Sequence, residues 1–195
     1  SEMCIRDRLK GYNTDASGFL QALLERGIEP EEKKVVMLGA GGASRAISFI
    51  LVERGAHLVI LNRRLERAEK LTGRLSTTLN KEVKALELVA DNLAQVLGEA
   101  DILVNATSVG MTPNIDETPV ASDLLKPELT VFDVVYNPIK TRLLREAEAA
   151  GAKIINGIDM LVWQGALAFE KWTGVKAPVE LMRQETVKVL EQHEN

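Results

Sequence analysis

The stretch VVMLGAGGASRA, residues 35–46, decides the fold. VVML is a short, fully apolar run with β-branched residues, and it stops at glycines. A strand buried on both faces of a parallel sheet reads this way. A helix start follows the glycines. Strand, glycine turn and helix, in that order, form the phosphate turn of dinucleotide-binding sheets. Gly39 permits the tight turn, and Gly41 lets backbone approach a pyrophosphate. Ser44 holds the third position of the G-x-G-x-x-G spacing and is small enough for close packing. Free N–H groups at the helix start suit phosphate oxygens. A plain strand-to-helix turn would use the same glycines, so the flanking elements carry the phosphate reading.

The alternation continues outward from this turn. A helix is expected at about 42–54, a strand at HLVIL (57–61) and a helix at 64–78. Further strands are expected at 83–88, at DILVNA (101–106), at TVFDVV (130–135) and at AKIIN (152–156), with helices near 91–98 and 140–150. Strands alternating with helices imply a parallel sheet covered on both faces. Right-handed crossovers then favour an α/β, doubly wound Rossmann sheet. Helical patterns at 14–26, 158–172 and 178–192 flank it and read as pieces that do not belong to the sheet. Pro178 suits a first helical turn.

The tip of the second strand speaks to the ligand. An acidic residue there, about 20 residues past the turn, would hold a ribose 2′-hydroxyl. This strand ends instead in Asn62-Arg63-Arg64, with Arg67 one turn on. Arg63 and Arg67 are like charges four apart, which costs a few tenths of a kcal/mol unless an anion lies between them. A 2′-phosphate is such an anion and suits guanidinium. The expectation is NADP rather than NAD. The alternative is a solvated basic face offset by Glu66 and Glu69.

Composition excludes several classes. The chain has 195 residues, 46% hydrophobic and 27% charged, which suits one large domain or one domain with an appendage. The net charge of −4 and the lack of a long basic run argue against nucleic acid and against anionic membranes. Apolar runs such as ISFILV (47–52) are far shorter than a membrane span. Cys4 is alone, His57 and His193 are far apart, and no metal site is expected. The cytoplasm is the default location.

Four further segments are legible together: GYNTDASG (11–18), NATSVGM (105–111), VVYNPIKTRLL (134–144) and GIDMLVWQGALAFEKWTG (157–174). With the glycine turn and Asn62-Arg63, they make residues 9–192 resemble the shikimate dehydrogenase family. The NATSxGM and GxxMLxxQ patterns are specific, and the glycine turn is not. The resemblance implies NADPH-dependent, reversible reduction of 3-dehydroshikimate to shikimate, on the route to aromatic amino acids. It makes Asp15 the catalytic aspartate, paired with a lysine and touching substrate hydroxyls. It puts Gly39, Ala40, Gly41, Gly42 and Ala43 along the pyrophosphate, and Asn62, Arg63 and Arg67 at the 2′-phosphate. Arg64 stands where the family commonly has Thr. Asn105, Ala106, Thr107 and Ser108 pass beside the cofactor, with Met111 nearby. Val134 and Tyr136 lie near nicotinamide and substrate, Gly157 by the nicotinamide, and Gln164 on the substrate. A small-molecule substrate is implied, in a monomer or homodimer.

Each residue alone has a plainer reading. Asp15 could be a helix cap, Gln164 a solvated residue, Tyr136-Asn137-Pro138 a turn, and NATS a strand end. Met160, Leu161 and Trp163 read as core. Joint occurrence in the family order favours the functional reading. A quinate/shikimate relative and a non-catalytic NADP-binding module remain alternatives. Methylene-tetrahydrofolate dehydrogenase and glutamyl-tRNA reductase share the glycine turn and the Asn-Arg, but lack the NATSxGM and GxxMLxxQ combination.

The resemblance also divides the chain. Residues 9–28 read as a connector helix of a substrate domain, 29–156 as the NADP-binding domain and 157–195 as helices returning to the substrate domain. The family's lysine lies in an N-terminal domain of about 100 residues, a usual domain size. Lys10 does not match it. SEMCIRDR, residues 1–8, reads as a non-native leader. A genomic locus encoding it in frame behind a start codon would refute that. The expectation is a chain that binds NADP, turns over little shikimate and exposes apolar surface on its terminal helices.

Overall fold

The computed structural model describes residues 11–194; the expected leader, Cys4 and Lys10 lie outside the described residues. Six parallel strands form one sheet: β1 (Lys34–Leu38), β2 (His57–Asn62), β3 (Lys84–Glu87), β4 (Ile102–Asn105), β5 (Thr130–Asp133) and β6 (Lys153–Ile155). Their order is β3-β2-β1-β4-β5-β6. The chain winds outward from β1 to β3, returns to the other side of β1 and winds outward again. The doubly wound sheet expected from the sequence is therefore present, and its switch point lies between β1 and β4.

The helices are α1 (Asp15–Glu25), α2 (Gly42–Glu53), α3 (Leu65–Leu79), α4 (Ala90–Leu97), α5 (Arg142–Ala149), α6 (Gly157–Thr173) and α7 (Val179–Glu194). A 3₁₀ turn, Ser122–Leu124, interrupts the long β4–β5 connection, which the sequence left unassigned. Successive β1 side chains go to opposite faces. Val35 and Met37 join Ile47, Leu51 and Ile60 on one side, while Val36 and Leu38 join Leu93, Leu97 and Leu103 on the other. Both faces are covered, so the strand has no polar alternation.

The expected terminal helices flank the sheet, and α1 and α6 pack directly on it. Phe19, Ala22 and Leu23 of α1 are fully buried in the same core as β1 and α2. The Phe19 ring meets Phe132 of β5 at a centroid distance of 4.5 Å. Burial of one such side chain contributes about 1.5–3 kcal/mol. Ile158, Met160, Val162 and Ala166 of α6 are buried as well. An apolar helix face announces that it will be covered, but not by which partner.

An ionic clamp joins α1, α6 and α7. Asp159, in the first turn of α6, is 3% exposed. It accepts from Arg26 Nη2 at 2.8 Å and also from Arg183 Nη1. Arg183 Nη2 reaches both Glu25 oxygens at 2.9 and 2.8 Å, and Trp163 Nε1 donates to Glu25 at 2.9 Å. Burial alone would raise the Glu25 pKa, but the hydrogen bonds from Trp163 and Arg183 outweigh it and hold the carboxyl below its usual value. Without Asp159, Arg26 can turn to solvent and Arg183 keeps Glu25, so the loss is that of the charge-assisted hydrogen bonds to a buried carboxylate. Asp159→Ala is therefore predicted to lower stability by about 2 kcal/mol. Urea unfolding should show a lower midpoint at unchanged slope, and an unmoved midpoint would show that the clamp contributes nothing.

Candidate active site

The site is built where the sheet opens. Leu38 pairs with Asn105 at the ends of β1 and β4, and the Ala106 N–H donates to the Leu38 carbonyl at 2.9 Å. The chain must turn at once after Leu38. Gly39 does so at φ +102°, and a Cβ there would lie 2.8 Å from the Ala106 oxygen. Gly41 caps α2, and its N–H donates to Ser44 Oγ at 3.2 Å. Ser44 is fully buried, so it is both the small packing residue expected and a brace for the turn. The first helical bond runs from Arg45 N–H to Gly41 O at 3.2 Å. The N–H groups of Gly42, Ala43 and Ser44 thus precede the helical ladder and can receive an anion.

A cleft of about 520 Å³ adjoins this turn. Ala43 lines one side. Ala106, Thr107, Ser108, Met111 and Thr112 line the second, and Val134, Val135, Tyr136 and Asn137 the third. Tyr136 and Met111 are each 45% exposed and form its rim. A larger hollow of about 620 Å³ lies at the opposite ends of β1 and β2, between Lys34, His57, Val59, Lys84 and Glu99. It has no glycine turn, and ligands of open parallel sheets bind beyond the carboxyl ends of the strands. The smaller cleft is the candidate.

At the tip of β2, Asn62 Nδ2 donates to the Arg64 carbonyl at 2.8 Å and sets the turn into α3. Arg63, Arg64 and Arg67 are exposed. Among the described residues neither Glu66 nor Glu69 pairs with them. The three guanidiniums therefore face solvent with no direct carboxylate partner among the described residues.

A second polar corner lies where α1 crosses α6. Gly18 packs so tightly that a Cβ would meet the Gln164 backbone nitrogen at 2.7 Å. Thr14 Oγ1 donates to Gln164 Oε1 at 3.4 Å, and Asn13 Oδ1 accepts from the Asp15 N–H at 2.8 Å. Thr14, not Asp15, occupies the cap position of α1, without a side-chain cap bond. The Asp15 carboxylate is half-buried in the first turn and is not used as a cap. Gly157 starts α6 against the second loop of the cleft, and a side chain there would strike the Val134 and Val135 carbonyls. From Gly157 to Gln164 the helix rises about 10 Å, so α6 links the cleft to the Asp15 corner.

The comparisons with known proteins agree with this geometry. The sequence model described as "Shikimate / quinate 5-dehydrogenase" matches residues 22–138, and that of the "Shikimate 5'-dehydrogenase C-terminal domain" matches 157–185. The chain belongs to the shikimate/quinate 5-dehydrogenase family. A Dehalococcoides mccartyi protein named shikimate dehydrogenase (NADP(+)) is 46% identical over 95% of this chain. The chain spans 65% of that relative's length. A crystal structure of a shikimate dehydrogenase in complex with NADP+ superposes with TM-score 0.84 at 40% identity, over 92% of this chain and 62% of the other. Quinate dehydrogenase from Corynebacterium glutamicum, in complex with NAD, gives TM-score 0.84 at 32% identity over 91% and 63%.

In this family member the fold gathers half of the expected residues into two places. Ala43, Ala106, Thr107, Ser108, Met111, Val134 and Tyr136 line the cleft, while Asp15 and Gln164 share the α1–α6 corner. Asn105 is expected beside the cofactor. Its side chain is fully buried, so it shapes the wall from behind. Its Oδ1 accepts from Thr107 N–H at 3.1 Å and Thr107 Oγ1 at 2.7 Å, and its Nδ2 donates to Asp133 Oδ1 at 2.9 Å.

Asp133 was missed in the sequence, although a lone acid at the end of the apolar run TVFD was the available signal. It is fully buried, and burial raises its pKa from 3.8 to about 6 against the hydrogen bonds from Thr141, Val135 and Asn105. A raised carboxyl pKa means that the folded state binds more protons than the unfolded chain between those two values. Stability then rises as pH falls through that window. Wild type should gain about 1 kcal/mol relative to Asp133→Asn between pH 7.5 and pH 5. Paired urea titrations at the two pH values would read this, and a pH-independent difference would show that the carboxyl is not perturbed.

Proposed function

We propose that this chain carries the cofactor-binding part of an NADP-dependent shikimate dehydrogenase, which reduces 3-dehydroshikimate to shikimate reversibly. The observation that carries the proposal is the exposed Arg63 and Arg67 pair at the β2 tip, unpaired among the described residues and beside a glycine turn at the switch point. The NADP(+) in the name of the Dehalococcoides relative supports it.

The donor set fits such a cofactor. The pyrophosphate would lie along Gly39, Ala40, Gly41, Gly42 and Ala43 and accept from the N–H groups at the start of α2, and the Asn62, Arg63 and Arg67 side chains would hold the 2′-phosphate. Ala106, Thr107, Ser108, Met111, Val134 and Gly157 would border the nicotinamide. When bound, the cofactor supplies the hydride for the substrate carbonyl carbon. The Asp15 carboxylate would accept from a substrate hydroxyl and orient the ammonium that gives its proton to the forming alkoxide. The Gln164 carboxamide would donate and accept toward the polyol, and Tyr136 would close the near side. The reading puts that ammonium, the family lysine, outside these 195 residues. It keeps 29–156 as the NADP-binding domain and assigns 9–28 and 157–195 to the join with a substrate domain. The exposure of Trp172 (84%), Val175 (61%) and Leu181 (56%) on that side supports the division.

Calorimetry of the 195-residue chain with NADP+ and NAD+ tests the proposal. NADP+ is expected to bind about 100-fold more tightly, as two charge-assisted contacts imply. The Arg63→Ala, Arg67→Ala double variant should lose most of that preference. Equal or tighter binding of NAD+ would overturn the cofactor assignment. Robust shikimate-dependent NADPH production by the same chain would overturn the absence of the lysine.

A further inference from the structure

We propose that Asp133 is a positioning residue for the nicotinamide end of the cofactor, fixing the two loops that wall the cleft in one relative placement. The inference rests on the NADP reading above.

Asp133 holds three segments with two oxygens. Oδ1 accepts from Asn105 Nδ2 at 2.9 Å and from the Val135 N–H at 3.0 Å. Oδ2 accepts from Thr141 Oγ1 at 2.6 Å. Each partner controls a different piece of the site. Asn105 winds the loop after β4 about its own amide, through Thr107 and through the Val109 carbonyl at 3.3 Å. The Val135 N–H fixes the first turn of the loop after β5. Thr141 caps α5, accepting from the Leu144 N–H at 3.3 Å, and so fixes where that second loop ends. The cleft-lining residues Ala106, Thr107, Val134 and Val135 adjoin Asn105 or Asp133 in the chain.

Few other bonds join the two loops. The Val134 N–H donates to the Asn105 carbonyl at 2.9 Å, at the root. Thr112 meets Asn137 at the mouth, through N–H to carbonyl and Oγ1 to Oδ1, each at 3.0 Å. Between root and mouth the buried carboxylate reaches both loops at once, through Asn105 and Val135. Apolar residues of similar volume would satisfy packing there at no desolvation penalty. A fully satisfied buried polar network instead specifies one geometry. The 2′-phosphate end, at Arg63 just past β2 and Arg67 in the first turn of α3, lies beyond β1 and shares no hydrogen bond with this network among the described residues.

That separation supplies a readout that general destabilisation does not move. NADP+ spans both ends of the site, whereas 2′,5′-ADP carries only the adenosine end. In calorimetry at pH 8, Asp133→Asn should weaken NADP+ about tenfold and leave 2′,5′-ADP within about twofold, the scale of one lost charge-assisted hydrogen bond. Thr141→Val removes one donor while keeping the shape, and should move the same ratio about threefold by the same reasoning. If Asp133→Asn does not fold, the Thr141→Val ratio decides. An unchanged ratio of NADP+ to 2′,5′-ADP affinity in the folded variants would overturn the positioning role and leave the cofactor reading intact. Failure of the wild-type chain to bind either ligand would overturn the cofactor reading, and this inference with it.

Discussion

The close approach of Gly39 to Ala106 is the constraint on which the rest depends. β1 and β4 pair in register up to Leu38 and Asn105, and then their chains must diverge. The positive φ at Gly39 sends the first chain into α2 at once, while the Asn105 amide coils the second into its loop. Divergence leaves a cleft, with helix N–H groups on one side and polar loop residues on the other. A Cβ at Gly39 would meet the Ala106 carbonyl, shift one chain against the other and spoil both walls together.

Two buried carboxylates then fix what the backbone leaves free. Asp159 is neutralised by two guanidiniums and holds α1, α6 and α7 as one unit. That unit carries Asp15 and Gln164 and reaches the cleft through Gly157. Asp133 has no cation paired with it among the described residues; it is satisfied by an amide, a hydroxyl and a backbone N–H, and burial leaves its proton affinity raised. The first is an ion-pair clamp and the second a neutral-donor node, and both lie at the cleft end of α6: Asp159 in its first turn, Asp133 just before the Val134 and Val135 carbonyls that Gly157 packs against. Burying charge is a poor route to stability. Both devices are better understood as means of holding a particular geometry.

Much of this was legible in the chain. The apolar run VVML, its glycines and the alternation beyond them specify the parallel sheet, because strands covered on both faces need no polar alternation. Asn62-Arg63, with no acid at the strand tip itself, is the local signal behind the proposed anion site. The pairing of Thr14 with Gln164, 150 residues apart, depends on α1 and α6 crossing at Gly18 and has no local signal. The same holds for Asp133, whose partners Asn105 and Thr141 meet it only after β4 and β5 pair.

The sequence by itself determined the doubly wound sheet, the position of the glycine turn and the residue types available to a site. These follow from local periodicity, glycine sterics and charge, which act between near neighbours. Only the tertiary structure decided that α1 and α6 belong to the core, that Asn105 shapes the cleft from behind, and that Asp133 ties its two loops together. Those outcomes depend on which buried surfaces meet and on how low-polarity burial changes a carboxyl group. Neither is a property of any short stretch of chain.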